Sequence, residues 1–206
     1  MVRPGHRTRR GERGFTMLEI ITILAVIAIM AAVLSPMILN YMDDAKKTKA
    51  EADVKTISGV ILSLAKDVAH FPIYTDGTKT IGDPDIELLR GPGNNPTDNP
   101  AAGQGWLGTT KIGQLENHLV TNTPGGIKYG TSGRFFWKGP YVEKISEDPW
   151  GNRYLVNVKN GNPNDKPAKV VWVLSAGPNG KIETDPTALA DAGPSPGGDD
   201  IAVRIR

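Results

Sequence analysis

Composition and charge limit the classes of protein to which this chain can belong. The chain has 206 residues, a formal net charge of +2 and a sequence pI of about 8.8. The basic balance does not indicate nucleic-acid binding, because the first 14 residues hold five arginines and one glutamate and leave residues 15–206 with a net charge of −2. There are no cysteines, so a disulfide framework is excluded.

The first predicted element is one long helix from Phe15 to about Ala69. Its first part, residues 15–39, is apolar on every side and is about as long as a membrane-spanning helix needs to be. The remainder, residues 40–70, is amphipathic, and we expect it to pack on a globular head formed by residues 71–206. The apolar residues of this second part recur at steps of three and four: Val54, Ile57, Ile61, Leu64 and Val68.

One acidic residue, Glu19, lies inside the apolar part. A charge in hydrocarbon costs about 3 kcal/mol on insertion scales, so a carboxylate at this position indicates a function. An ordinary secretory signal would have a shorter apolar core with a cleavage site after it, and a plain signal anchor would leave Glu19 unexplained. A cleavage site between Gly14 and Phe15 accounts for Gly14, Phe15 and Glu19 together. It makes residues 1–14 a leader. The arginines of this leader predict a cytoplasmic N-terminus.

The chain after the helix is predicted to form a small antiparallel sheet. The sequence His70-Phe71-Pro72 ends the helix, because the residue before a proline avoids the helical region. Residues 75–105 are rich in glycine, proline, asparagine and aspartate and predict an irregular loop, which a short helix follows at residues 111–120. Four apolar or alternating segments are the expected strands: residues 134–137, 153–158, 169–174 and 201–205.

Two motifs of the head contain candidate functional groups. The segment Asp148–Asn152, DPWGN, predicts a tight turn that Trp150 anchors on the core. The second motif begins LSAGPNGK at Leu174 and ends GDDI at Ile201. Its oxygen-bearing side chains are of the kind that calcium binds, although taken alone they favour a solvated acidic loop over a metal site. These side chains are Asn179, Asp185, Asp191, Asp199 and Asp200.

The segment Arg13–Glu19, RGFTMLE, resembles the class III signal of type IV pilins and type II secretion pseudopilins. In that family a prepilin peptidase cuts after the glycine and methylates the new N-terminal phenylalanine. The resemblance implies that Gly14 and Phe15 form the processing site. It also implies that Glu19 pairs with the Phe15 amine of a neighbouring subunit during assembly. Pro36 matches a proline at which the helix of this family unwinds locally in filaments.

The DPWGN turn and the final loop resemble, in the same order, the C-terminal part of the major pseudopilins of type II secretion. The resemblance implies an α+β, type IV pilin-like fold and a calcium ion held by Asn179, Asp199 and Asp200, with the backbone carbonyls of Leu174 and Ser175. The family usually has aspartate where this chain has Asn179, and the loop of the family is shorter than the loop of this chain. Either the loop has lost the metal, or one of two inserted acids replaces the missing charge, Asp185 or Asp191.

The resemblance implies a structural subunit that polymerises into the periplasmic filament of a type II secretion system, which exports folded proteins. The expected partners are further copies of the chain, the prepilin peptidase, the inner-membrane assembly platform and the minor pseudopilins. We expect a single-pass inner-membrane protein with a periplasmic head and no role in nucleic-acid binding. The alternative is a major or minor pilin of a type IV pilus for adhesion, motility or DNA uptake, although common pilins of that branch carry a disulfide.

A membrane-anchored periplasmic enzyme or binding protein is the third class of function. No catalytic constellation is apparent, and neither His70 nor His118 has metal-ligand spacing to another histidine. The sequence therefore predicts no enzymatic activity.

Overall fold

The structure is a computed structural model that describes residues 14–72, 86–98, 105–125, 128–162 and 166–205. The chain divides into two compact units, Met1–Asp44 and Ala45–Arg206. The predicted leader, apart from Gly14, lies outside the described residues. The same is true of residues 73–85 and 99–104 of the predicted loop.

Helix α1, Met17–Val68, supplies all of the described structure of the first unit after residue 16. The side chains described from Phe15 to Asp44 are exposed, and most of them are large and apolar. The hydroxyls within this segment are satisfied by the helix itself: Thr22 donates to the Glu19 carbonyl at 2.9 Å and Ser35 to the Ala31 carbonyl at 2.8 Å. By length and composition the helix fits a single-pass membrane anchor.

The second half of α1 has the predicted buried stripe. Position 50 and every residue of the predicted apolar series are buried, with Ile61 and Leu64 fully so. The helix ends at Val68, because Ala69 adopts a left-handed backbone with φ 65° and Pro72 follows it. The predicted end near Ala69 is therefore confirmed.

The head contains a five-stranded sheet. The strands are β1, Leu88–Arg90; β2, Ile112–Gln114; β3, Leu155–Val156; β4, Trp172–Ser175; and β5, Ile201–Arg204. Their order in the sheet is β2-β1-β3-β4-β5. A short helix, α2, spans Leu115–Leu119 directly after β2, and 3-10 turns span Val158–Gly161 and Ala190–Ala192. Together with α1 this is the predicted α+β fold.

The sheet is mixed, whereas a wholly antiparallel sheet was predicted. Strands β1 and β3, β3 and β4, and β4 and β5 pair antiparallel, but β1 pairs parallel with β2. Strand β1 also lies inside the segment 75–105, which was predicted to be an irregular loop. Its three residues are too few to show alternation, and the glycine- and proline-rich flanks hide them. Strand β2 takes three residues of the predicted helix 111–120.

The segment 134–137 is not a strand, which corrects a further prediction. Phe135 is 53% exposed, and the Trp137 indole donates to the carbonyl of His118 at 2.9 Å. The aromatic residues that suggested a strand therefore belong to a loop next to α2. The last predicted strand, residues 201–205, corresponds to β5, and the other two predicted segments contain β3 and β4.

The sheet is covered on both faces. Val156 and Val173 pack with the buried stripe of α1, whereas Leu155, Trp172 and Leu174 pack in a second cluster with Trp106 and Ile182. This division follows from the alternation of side chains along β3 and β4. The Trp106 indole also donates to the Thr184 carbonyl at 2.8 Å, so the segment after β4 lies over the second face.

His118 is a buried histidine with an unusual environment. It is fully buried in α2, and its Nδ1 lies 2.6 Å from the hydroxyl of Tyr129. Its Nε2 is buried and has no hydrogen-bond partner in the described part of the chain. Burial, with a smaller contribution from His70, lowers the pKa of His118 to about 3, so this side chain is neutral in the folded head at neutral pH.

We expect this histidine to destabilise the head in acid. Between its usual pKa of 6.5 and about 3, only the unfolded state binds the proton. The free energy of unfolding should therefore fall by about 1.4 kcal/mol per pH unit as the pH drops below 6.5. All four tryptophans lie in the second unit, so their fluorescence during urea unfolding in detergent reports the head. The His118→Gln variant should lose this slope and His70→Gln should keep it; equal slopes would contradict the assignment.

Candidate functional site

The predicted processing site lies immediately before α1. Gly14 and Phe15 are exposed, and the helix begins at Met17. A Cβ built on Gly14 meets no atom within 4 Å, and its backbone is not left-handed. The folded chain thus gives no steric reason for a glycine at this position.

Glu19 lies in the first turn of α1, where its backbone has a role that sequence reasoning missed. Its N–H donates to Thr16 Oγ1 at 3.2 Å, and the Thr16 carbonyl accepts the first helical bond from Ile20. Thr16 is therefore the N-cap, and the T-x-x-E spacing is the signal for it. The Glu19 carboxylate forms no hydrogen bond or ion pair with the residues that the structure describes, and it is exposed. Pro36 lies within α1, further along the apolar part.

The predicted turn at residues 148–152 is closed by a buried carboxylate. Asp148 is 3% exposed, and its Oδ1 accepts from the backbone N–H groups of Trp150 at 3.0 Å and Asn152 at 2.8 Å. Gly151 provides the left-handed backbone of the turn, with φ 84°. Trp150 is only half-buried and belongs to neither hydrophobic cluster, so the anchor of the turn is Asp148 and not the predicted Trp150.

The turn and the final loop meet through one hydrogen bond. The hydroxyl of Ser175, which is fully buried at the end of β4, donates to Asp148 Oδ2 at 2.6 Å. The same hydroxyl accepts from the N–H of Gly177, where the loop begins to turn, at 3.3 Å. Sequence analysis identified the two motifs separately but gave no sign of this contact. No local signal indicates it, because the two residues are 27 positions apart.

Asn179 and Asp199, two of the predicted ligands, lie together across the loop. The side-chain amide of Asn179 donates to Asp199 Oδ1, and its backbone N–H donates to Asp199 Oδ2 at 3.1 Å. A third residue that was not predicted, Glu183, joins them. Its Oε2 accepts from the Asn179 amide at 3.4 Å and from the backbone N–H of Asp199 at 3.2 Å.

Asp200, the third predicted ligand, is buried beside this group. Its Oδ2 accepts from the backbone N–H groups of Glu183 at 2.8 Å and Thr184 at 2.7 Å, and from the Thr184 hydroxyl at 2.7 Å. Its Oδ1 is buried and has no hydrogen-bond partner among the residues that the structure describes. Burial raises the pKa of Asp200 above its usual value, and the nearby charge of Glu183 acts in the same direction.

The other predicted oxygen donors lie elsewhere in the loop or in the sheet. Asp185 is exposed, and its Oδ1 accepts two hydrogen bonds from Thr187 at 2.7 Å. Asp191 is exposed in the second 3-10 turn. Neither acid has a hydrogen bond to Asn179 or Asp199 within residues 166–205. The carbonyls of the predicted backbone ligands belong to β4, whose residues Leu174 and Ser175 pair with Ala202 and Ile201.

Comparison with known proteins indicates which of two kinds of filament subunit the chain resembles, a pseudopilin or a pilin of a surface pilus. No family model and no solved structure matches the chain. The chain is similar to eight curated proteins that are all named type II secretion system core protein G. It is 25% identical to the Escherichia coli (strain K12) protein over 84% of this chain and 87% of that protein. The Pseudomonas aeruginosa protein is 27% identical over 71% and 73%, and the Vibrio cholerae protein 22% over 81% and 82%.

These relatives support the prediction of a major pseudopilin. The shared regions cover most of the chain, so the similarity is not restricted to the apolar helix that all pilin-like proteins need. The alternative identification as a pilin of a surface pilus has no support from these relatives.

The C-terminal loop presents oxygen atoms of the kind that calcium binds. Carboxylate and amide oxygens are what calcium prefers, and Oδ1 of Asp200 is a buried acceptor with no partner among the described residues. No three histidine, aspartate or glutamate side chains form a metal-holding group in the part of the chain that the structure describes. A calcium shell would therefore need Asn179 or backbone carbonyls besides the carboxylates. The residues present fit the ion in chemistry.

The hydrogen bond between Ser175 and Asp148 gives a testable prediction. Asp148→Asn should lower the free energy of unfolding by about 2 kcal/mol, because an amide cannot accept all three bonds of a buried carboxylate. The matched control is Asp185→Asn, an exposed aspartate in a similar local turn, which should change it by less than about 0.5 kcal/mol. Urea unfolding in chelator, followed by tryptophan fluorescence, measures both. Equal losses of unfolding free energy in the two variants would show that the buried contact contributes no more to stability than the exposed one.

Proposed function

We propose that this pseudopilin polymerises through its N-terminal helices into the periplasmic filament of a type II secretion system. The observation that carries the proposal is the exposed apolar surface of α1 from Phe15 to Met42, in a chain whose curated relatives are secretion-system core proteins. An apolar surface of this extent needs lipid or other apolar helices around it. Before assembly the lipid covers it, and within a filament the helices of other copies do so.

The finer assignments belong to the same proposal. Residues 1–14 are a leader that a prepilin peptidase removes after Gly14, and Phe15 becomes the methylated N-terminus. Residues 15–39 span the inner membrane and polymerise, residues 40–70 form the helix of the head, and residues 71–206 complete the head in the periplasm. The partners are other copies, the inner-membrane assembly platform and the minor pseudopilins. The role is structural, without catalysis.

Glu19 is the residue on which assembly depends in this proposal. Within an apolar bundle an unpaired carboxylate is costly, and the amine of Phe15 on a neighbouring subunit would offset that cost. The position of Glu19 in the first turn of α1 gives it a second, local role, since a negative charge near the N-terminus of a helix favours the helix start. This local effect is small, about 0.3–1 kcal/mol, and does not involve a neighbouring subunit.

Glutamine at position 19 removes the charge and keeps the size of the side chain and the backbone N-cap bond. Glu19→Gln and Glu19→Ala should both be inserted and processed, with an intact mass that begins at Phe15. Both should form at least about tenfold fewer filaments than wild type, because each lacks the charge that pairs with the amine. Filaments sheared from cells and counted by electron microscopy, together with secretion, provide the measurement. A glutamine variant with normal filaments would leave Glu19 with the helix-start role alone.

We further propose that the C-terminal loop binds calcium through Asn179, Asp199 and Asp200. The support is the contact between Asn179 and Asp199 and the buried Oδ1 of Asp200, which has no partner among the described residues. When bound, the ion supplies positive charge to clustered carboxylates. The residues themselves hold the loop against β5, which starts one residue after Asp200.

Thermal unfolding of the processed full chain in detergent tests the calcium site. At a hundredfold excess of calcium over its Kd, binding to the folded head alone should add about 2.7 kcal/mol of stability over the protein in chelator. Asp199→Ala should remove this gain. Asp191→Ala, which changes an exposed acid of the same loop, should retain it. Superimposed curves for the wild type in calcium and in chelator would contradict the site.

A further inference from the structure

We propose that Glu183 is a calcium ligand of this loop and supplies the negative charge that Asn179 lacks. The inference rests on the calcium site proposed above. It assigns the role of the replacement acid to a residue outside the pair that the sequence suggested, Asp185 and Asp191.

The first argument is position. Glu183 is the acid that contacts both Asn179 and Asp199, with its Oε2 3.4 Å from the Asn179 amide nitrogen and 3.2 Å from the backbone nitrogen of Asp199. The same amide also donates to Asp199 Oδ1. One neutral amide thus lies between two carboxylates. The oxygen of this amide accepts from the Lys181 N–H at 2.6 Å. Amide oxygen and nitrogen occupy nearly equivalent positions, so a rotated Asn179 would give up that bond and present its oxygen to a cation at the same place.

The second argument is the way in which the backbone holds the Glu183 side chain. Gly198 has a left-handed backbone with φ 52°, and a Cβ built on it would overlap the Glu183 carboxylate. A Cβ on Gly197 would meet the Glu183 carbonyl oxygen at 2.3 Å. Two consecutive glycines therefore allow the residues just before Asp199 to pass directly against Glu183. This close approach holds the carboxylate beside the predicted ligands.

The third argument is uncompensated charge. Asp200 is tied to the same segment through the Glu183 and Thr184 N–H groups, while its Oδ1 is buried and unpartnered. Among residues 166–205 no lysine or arginine forms an ion pair with Glu183, Asp199 or Asp200. Three neighbouring carboxylates repel one another, and a divalent cation would turn this repulsion into attraction. An irregular loop with carboxylate and amide oxygens suits the flexible coordination of calcium better than the strict octahedron of magnesium.

A charge-swap experiment tests the proposal on the processed full chain in detergent. Glu183→Gln should weaken calcium affinity, measured by isothermal titration calorimetry, by at least about tenfold, because the affinity of a calcium loop follows its ligand charge. Asn179→Asp should strengthen it. The double variant should return to within about threefold of wild type, since the charge has only moved. Glu143→Gln, an exposed glutamate elsewhere in the head, is the control and should bind calcium as wild type does.

Stability in chelator distinguishes a ligand from a residue that merely shapes the loop. If Glu183 is a ligand, Glu183→Gln should melt no lower than wild type in chelator, because it removes a repulsive charge, and should lose the gain in calcium. Equal losses of melting temperature in both solutions would overturn the proposal, as would unchanged affinity or a double variant without rescue. A wild type that binds no calcium overturns it together with the metal site. Filament counts are independent of these readouts, so the pseudopilus function is judged separately.

Discussion

The packing of the α1 stripe on one face of the sheet is the contact on which the head depends. The strands are only two to four residues long, and strands this short are not stable without a partner layer. The stripe provides that layer, and full burial of each large aliphatic side chain contributes about 1.5–3 kcal/mol. Hydrogen bonds from Tyr154 to Asp53 at 2.8 Å and from Tyr141 to Asp67 at 3.0 Å also connect the helix to the rest of the head. The chain has no cysteine, so this interface provides the stability that disulfides provide in many exported domains.

The opposite face of the sheet explains why the C-terminal loop has a defined shape despite its glycines and prolines. Trp106 and Ile182 bury that face, and the Trp106 indole holds the carbonyl of Thr184. Asp148 and Ser175 then connect the loop to the turn beside β3. The carboxylates of the loop are thus carried by a rigid support, and their closeness is a property of the folded head. The two faces have different tasks: one attaches the helix, and the other positions the acidic groups.

The sequence was sufficient for features that depend on local pattern. The extent of α1, its buried stripe and strand β5 follow from periodicity, and the turn at residue 148 follows from its proline and glycine. Strand β1 could not be found, because Leu88, Leu89 and Arg90 are too few for a pattern and their partners lie elsewhere in the chain. The prediction of a strand at residues 134–137 was wrong, because a run of aromatic residues is typical of strands and this run lies in a loop. The contacts of Glu183 with Asp199 and of Asp148 with Ser175 bridge 16 and 27 positions, and no local signal specifies such closures.

The distances along the chain between contacting residues have a consequence for how the head forms. The bond from Asp53 to Tyr154 spans 101 residues, the bond from Trp106 to Thr184 spans 78, and the edge strand β5 comes at the very end. Folds rich in such distant contacts form slowly, since long loops must close before any of them is stabilised. A growing chain therefore completes its N-terminal helix well before its sheet can close. The sheet cannot close before β5 has been synthesised, so the helix is available to a membrane long before the head is folded.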